Sequence, residues 1–315
     1  MAVVAGIDEA GYGPFLGPLV VSGVAFELPD EAAGEDLWVR LADVVTRSPR
    51  DGARVPVDDS KRLFNQTRGV RHIERAALAF AAAAGHQVTT FRGLLAALAD
   101  LREDVDTYPW HAGAEFAIPL ANSGLHLEAD ASRLRGASGA RFLGAKLLPV
   151  LVGEFNRLVA AHDTKSATLF LKTARLLSWL WNTWGERDLL VYVDKHGGRN
   201  RYGHLLHEAL FGATVRTIAE GASKSVYTVT DDARRMTIGF YEKGDGRHLS
   251  IALASIYSKY LRELFMHLFN AWWCERVPGL KPTAGYFTDG QRFLADTAVA
   301  RQQLGIPDAQ LIRIA

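Results

Sequence analysis

The chain has 315 residues, 36 Lys+Arg against 35 Asp+Glu for a formal charge of +1, 48% hydrophobic residues and one Cys. So large an apolar share excludes intrinsic disorder and is enough for one large domain or two modest ones. The balanced charge excludes an overall basic coat for nucleic acid but leaves open a local basic patch facing a local acidic one, because net charge averages over patches.

Val3 to Ile7 is a short, continuously apolar strand, and Leu19 to Phe26 is apolar and β-branched again. Between them Asp8 to Pro18 holds three Gly and two Pro, so two buried strands flank an acidic, glycine-rich turn. Residues 30 to 57 are mixed, with an exposed loop expected over Arg47 to Gly52. After Asp58-Asp59-Ser60-Lys61, Val70 to Ala84 has helical spacing, and Val88 to Phe91 reads as a strand. Residues 85 to 145 read as an inserted subdomain, turn-rich at Asp104 to Pro109 and Asn122-Ser123-Gly124. Helices are expected over Lys146 to His162 and Ala174 to Trp184, then a strand from Leu189 to Val193 that stops at Asp194. Tyr202 to Phe211 reads as a helix, and Val226 to Thr230 with Met236 to Tyr241 as a hairpin within an extra region over 199 to 241. Leu249 to Trp273 carries the clearest helical pattern, and a loop over Gly279 to Thr288 leads into a last helix from Gly290 to Leu304. Strands interleaved with helices indicate an α/β layer fold, read here as a single domain over 1–315.

Cys274 lies in the aromatic run Phe269 to Cys274 and cannot form an internal disulfide, so a core or interface position in a reducing compartment is expected. The first residues lack a basic leader, and apolar runs fall short of the roughly 18 residues that span a bilayer. The expectation is a soluble, cytoplasmic protein with no membrane partner.

Three places can carry chemistry. Asp8-Glu9 puts two carboxylates at the end of a buried strand, and Gly11-Tyr12-Gly13 lets backbone N–H groups approach a phosphate or sugar. The bland alternative is a hairpin turn with solvated acids. Asp194 also ends a buried strand, where α/β sheets bind their ligands, although it could equally be a helix N-cap. On the long helix, spacing of four aligns Ser255, Lys259 and Glu263 on one stripe, either facing a site or forming a solvated ion pair. If Asp8, Glu9, Asp194 and Glu263 converge, they need compensating charge, which two Mg²⁺ or Mn²⁺ ions would supply to hard oxygen ligands.

Asp8 to Pro14 with Gly17-Pro18 resembles the Asp-Glu-Ala-Gly-Arg-Gly-Pro signature of the type 2 ribonucleases H, ribonuclease HII and its relative HIII. Asp59-Ser60-Lys61, Val191 to Asp194, Lys243-Gly244-Asp245 followed by Ser250 to Glu263, and Ala284 to Thr288 resemble the family's later motifs in its order. The resemblance implies a ribonuclease H-like mixed sheet flanked by helices, with an inserted segment and additional C-terminal helices. It implies two-metal hydrolysis of the RNA strand of RNA/DNA hybrids, or cleavage at ribonucleotides embedded in duplex DNA, leaving 5′-phosphate and 3′-hydroxyl ends. Asp8, Glu9, Asp194 and Glu263 would be the catalytic metal ligands, and Gly11, Tyr12, Gly13, Ser60, Lys61, Lys259 and Tyr286 would contact substrate.

The chain departs from the family in three places. Gly-Tyr-Gly replaces Gly-Arg-Gly, which removes a phosphate contact. Glu263 stands where Asp is usual, and Lys195 follows Asp194, which would put a cation beside the metals. Two other readings stand beside the nuclease: a zinc hydrolase using His196, His204 and His207, and a catalytically weak or inactive nucleic-acid-binding relative whose Trp residues face a partner. The pairs Asp58-Asp59, Glu103-Asp104 and Asp231-Asp232 are expected to be solvated in turns.

Overall fold

The computed structural model describes residues 1–314 apart from 66, 68 and 122–125, so the turn expected over Asn122-Ser123-Gly124 lies outside the described residues. Strands β1 (Ala2–Ala10) and β2 (Leu19–Leu28) flank the glycine-rich turn and pair antiparallel, Ala10 opposite Val20. The short strands β3 (Val45–Thr46) and β4 (Val55–Pro56) pair with each other. With β5 (Arg141–Val150), β6 (Leu189–Asp194), β7 (Thr214–Glu220), β8 (Lys224–Thr230) and β9 (Arg235–Tyr241), the described residues form a sheet ordered β5-β2-β1-β6-β9-β8-β7. The β1/β6 and β6/β9 pairs are parallel and the others antiparallel, so the sheet is mixed.

The helices are α1 (Leu37–Arg40), α2 (Ser60–Leu63), α3 (Arg71–Ala83), α4 (Phe91–Leu98), α5 (Leu127–Gly136), α6 (Val152–His162), α7 (Lys165–Trp184), α8 (Gly203–Ala209), α9 (Leu249–Arg276), α10 (Phe287–Asp296), α11 (Ala298–Gln303) and α12 (Asp308–Leu311). They cover both faces of the sheet, which makes the fold α/β. Alternation along β1 and β2 divides the core accordingly. Val4, Val20 and Val24 join α3, α4 and α9, whereas Val3, Ile7 and Val21 join α6, α7 and α8. Phe26, Phe80 and Phe142 lock α3 to the sheet edge-to-face, with centroids 5.0–5.9 Å apart. Among the described residues no helix is long and apolar enough to cross a membrane.

Several expectations change. Lys146 to Val150 is strand, not helix. Leu147 packs on one face of the sheet and Leu148 and Val150 on the other, and a strand buried on both faces gives a continuous apolar run that spacing alone does not separate from a helix. Val88 to Phe91 is not a strand. Thr90 makes an isolated bridge to Ala117, and its hydroxyl accepts from Gly93 N–H to cap α4. The 199–241 region supplies β7, β8 and β9 of the central sheet. Asp58 is buried, not solvated, and pairs with Arg47 and Arg62.

The helix α9 crosses β1 and β2. Its 28 residues, about 42 Å at 1.5 Å each, run past the sheet so closely that a Cβ on Gly6 would lie 2.1 Å from the Ser250 carbonyl carbon. Ser250 donates to the Ala5 carbonyl (3.2 Å) and Ser258 to the Asp8 carbonyl (3.0 Å), which fixes the helix against the carboxyl end of β1.

Candidate active site

In the parallel register of β1 and β6, Ile7 lies beside Val193, and the next residues are Asp8 and Asp194. Two acids therefore sit at the carboxyl ends of adjacent central strands, the rim where ligands meet an α/β sheet. The turn after β9 brings Gly244 to the same rim, where its N–H donates to Asp194 Oδ1 (2.7 Å), and the next residue is Asp245. A cleft of about 280 Å³ opens there, lined by Asp8, Glu9, Asp194 and Asp245 together with residues of the glycine-rich loop, α2 and α9.

Each acid is held by the fold. Asp8 Oδ1 accepts the Glu9 N–H (2.7 Å), and the Ser255 hydroxyl on α9 works against the rise of its carboxyl. The Ser255 and Ser60 hydroxyls are 3.0 Å apart, which links α9 to the start of α2. Asp59 caps α2 by accepting from Lys61 N–H (2.8 Å).

The electrostatics follow from burial and mutual repulsion. Burial, then the charges of Glu9 and Asp194, hold the Asp8 carboxyl well above the carboxylate range. Glu9 is pushed up to about 8 by burial and the Asp194 charge, against the pull of Lys61. Asp194 rises to about 6, through burial and then the charges of Asp245 and Asp59, with the Gly244 hydrogen bond and Lys61 opposing. Asp245 is raised by burial and Asp59, again with Lys61 opposing.

The substrate side of the cleft is built by loops. Gly11 has φ 86°, and a Cβ there would stand 2.5 Å from both Arg262 Nε and the Pro18 carbonyl, so only glycine fits. The buried Arg262 donates through Nη2 to the Leu16 carbonyl (3.2 Å) and the Ala284 carbonyl (3.1 Å), tying the glycine-rich loop to the loop that carries Tyr286. From the C-terminal segment Arg313 donates to the Gly11 carbonyl (2.6 Å). Tyr286 is 55% exposed, and a Cβ on Gly13 would stand 3.9 Å from its ring. Lys259 Nζ lies over the Phe64 ring at 4.2 Å.

No family model matches the chain, and no curated protein matches it. The chain is similar in structure to ribonuclease H2 from Pyrococcus horikoshii OT3, at 16% identity, 98% of this chain, 92% of that one and TM-score 0.48. It is similar to a chain of the PCNA:RNase HII complex from Archaeoglobus fulgidus, at 17% identity, 99% and 94% coverage and TM-score 0.43. It is also similar to RNase H3 from Aquifex aeolicus, at 15% identity, 98% and 71% coverage and TM-score 0.42.

Of the residues singled out in the sequence, Asp8, Glu9, Asp194, Gly11, Tyr12, Gly13, Ser60, Lys61, Lys259 and Tyr286 all line this cleft. Glu263 does not. Its carboxylate turns to Lys259 Nζ (2.6 Å), with Arg262 Nη1 at 3.8 Å, and the acid that completes the cleft is Asp245. Asp245 carries little local signal, since it follows β9 in a turn of no regular period, although it stands in Lys243-Gly244-Asp245 directly before α9. Lys195 does not put a cation beside the acids. It points away from them, its ammonium bonded to Asn200 Oδ1 (2.7 Å) and to the Gly221 carbonyl. The three histidines do not converge either. His196 is buried with Nε2 3.1 Å from Thr173 Oγ1, while His204 and His207 are exposed on α8.

Among the described residues no group of three or more His, Cys, Asp or Glu stands close enough to hold a metal ion as arranged. The donor chemistry nevertheless fits a hard divalent cation: carboxylate oxygens on one cleft, raised toward protonation by each other, with Lys61 the cation that acts on three of them.

Proposed function

We propose that the protein is a metal-dependent endonuclease that hydrolyses the RNA strand of RNA/DNA hybrids or cuts at ribonucleotides embedded in duplex DNA, leaving 5′-phosphate and 3′-hydroxyl ends. The observation that carries this reading is the convergence of Asp8, Glu9, Asp194 and Asp245 on one cleft whose other wall is a glycine-rich loop and an exposed tyrosine. The ordered sequence motifs shared with type 2 ribonucleases H supply the substrate class.

Asp8, Glu9, Asp194 and Asp245 would hold Mg²⁺ or Mn²⁺, two ions in this reading. When bound, such ions activate water and offset charge on a phosphoryl group in flight. The chain's own residues do the rest. The Glu9 N–H orients Asp8, and the Gly244 N–H orients Asp194. Gly11 and Gly13 bring backbone groups to the cleft, where they would meet a ribose 2′-hydroxyl, the group that separates RNA from DNA. Tyr286 offers an open ring to a sugar, and Lys61 and Lys259 offer ammonium groups to phosphates. Arg262 holds the two loops in place as a positioning residue. Glu263 keeps its place in the reading as the partner that fixes Lys259.

One observation favours a second reading, a catalytically weak or inactive nucleic-acid-binding relative: no three acids close around a point among the described residues. One assay separates the two. A duplex with a single ribonucleotide and an RNA/DNA hybrid are incubated with Mg²⁺, Mn²⁺ or EDTA, using wild type and Asp8→Asn. Metal-dependent cleavage lost in Asp8→Asn supports the nuclease. Binding of either duplex with no cleavage in any metal supports the second reading.

A further inference from the structure

Many arginines of this chain sit on acids, as Arg47 does on Asp58, Arg75 on Asp130, Arg187 on Glu27 and Arg234 on Asp231. Lys165 and Arg199 do not. Among the described residues neither forms an ion pair, and both are half-buried beside the cleft. Lys165 Nζ lies 5.9 Å over the Tyr12 ring, and Tyr12 lines the cleft. Arg199 donates through Nη2 to Ser166 Oγ (2.8 Å), and its buried Nε has no partner. Burial first, and then the Glu9 carboxylate, raise the Tyr12 hydroxyl, while the Arg199 guanidinium opposes them.

These side chains belong to the face of the sheet covered by α7 and α8, against whose core Tyr12 packs. Lys61 and Lys259 come from the opposite face, on α2 and α9, whose Leu63 and Leu261 lie in the other core. Cations therefore stand on both banks of the acidic cleft, an arrangement suited to a duplex whose two backbones border a groove.

We infer that Tyr12, Lys165, Ser166 and Arg199 form a ledge that seats the sugar–phosphate backbone of the bound duplex, with Tyr12 as its flat floor and the two cations as phosphate contacts. The ledge rests on the nucleic-acid reading of the cleft. It also gives the tyrosine of Gly11-Tyr12-Gly13 a use: an aromatic surface flanked by borrowed charge.

The test is binding of a fluorescent RNA/DNA hybrid in EDTA, measured by anisotropy across a salt series. Each phosphate contact adds about 0.9 to the slope of log K against log salt. Lys165→Ala with Arg199→Ala is expected to make the slope shallower by about 2 and to weaken binding roughly tenfold near 0.1 M salt. Lys165→Arg with Arg199→Lys should keep the wild-type slope. A control pair outside the cleft lining, Arg102→Ala in the segment after α4 with Arg216→Ala on the edge strand β7, should keep it too. A double alanine variant with the wild-type slope, or a control pair that loses as much, overturns the ledge and leaves the nuclease reading standing. Wild type that binds no hybrid at any salt overturns both.

Discussion

Glu74, Asp58 and Asp130 are at least as buried as Asp8, yet their surroundings are the reverse of its own. Asp58 is gripped by Arg47 and Arg62, and Asp130 by Arg75 and Arg133. Glu74 accepts from the N–H groups of Leu120 (2.6 Å) and Ala121 (2.8 Å) and from the Tyr260 hydroxyl (2.9 Å). In the cleft the carboxylates face one another instead, and the charges they feel most are negative. Buried acids that serve the fold are matched by donors or cations, because an unmatched buried charge costs several kcal/mol. The cleft acids have single backbone donors and the pull of Lys61 in place of paired arginines, and in the proposed reading a bound cation would supply the remaining charge.

The largest expected effect tests the cleft. Asp8→Asn should lower metal-dependent cleavage of a hybrid by about 10³-fold or more, close to 4 kcal/mol, while leaving the thermal midpoint of metal-free protein equal or higher, since burial and the neighbouring acids disfavour a charge at this position. A midpoint that falls by many degrees would place Asp8 with the structural acids and break the contrast.

Next comes the opposite kind of acid. Glu74→Ala should destabilise the protein by about 3 kcal/mol in urea unfolding, because three donors lose their acceptor. Equal stability of this variant and wild type would show that water or rearrangement satisfies those groups.

Within the cleft, Asp245→Asn should cost about 10²-fold in cleavage, or roughly 2.7 kcal/mol, against a change of at most about threefold for Glu263→Gln. Steady-state rates on one hybrid decide it, and the reverse order would return Glu263 to the acidic cluster.

The smallest effect concerns a buried base in the body. His111, packed among Tyr108, Trp110 and Phe265, is pushed down to about 3 by burial, helped by the Arg92 charge and opposed by a hydrogen bond to the Phe265 backbone. A depressed folded value contributes stability that is complete above the unfolded value near 6.5 and is lost as pH falls from there toward 3. Between pH 7 and pH 5.5 wild type should lose about 1 kcal/mol that His111→Phe keeps, seen as a flatter acid limb in a series of denaturation midpoints.

Strand ends were legible where the chain is locally regular. Val3 to Ile7 and Leu189 to Val193 are apolar runs that stop at acids, and Asp8, Glu9 and Asp194 do share one cleft. The helical pattern from Leu249 to Trp273 lies within α9. Period misled where burial erased it, as at Leu147 and Leu148, buried on opposite faces of β5. Spacing also aligned Ser255, Lys259 and Glu263 without revealing where the stripe ends: Ser255 and Lys259 reach the cleft, and Glu263 stops at Lys259.

Sequence by itself determined the α/β character, the acids at two strand ends, the glycine-rich turn after the first of them and the order of the motifs, because each of these is written in neighbouring residues. Tertiary structure decided that Asp245 and not Glu263 joins the acids, that Lys195 turns away from them, and that Lys165 comes to stand over Tyr12 with Arg199 bonded to the neighbouring Ser166. Those outcomes depend on which face of the sheet each helix covers and on how the turn after β9 closes, and such convergence between distant segments leaves no local period in the chain.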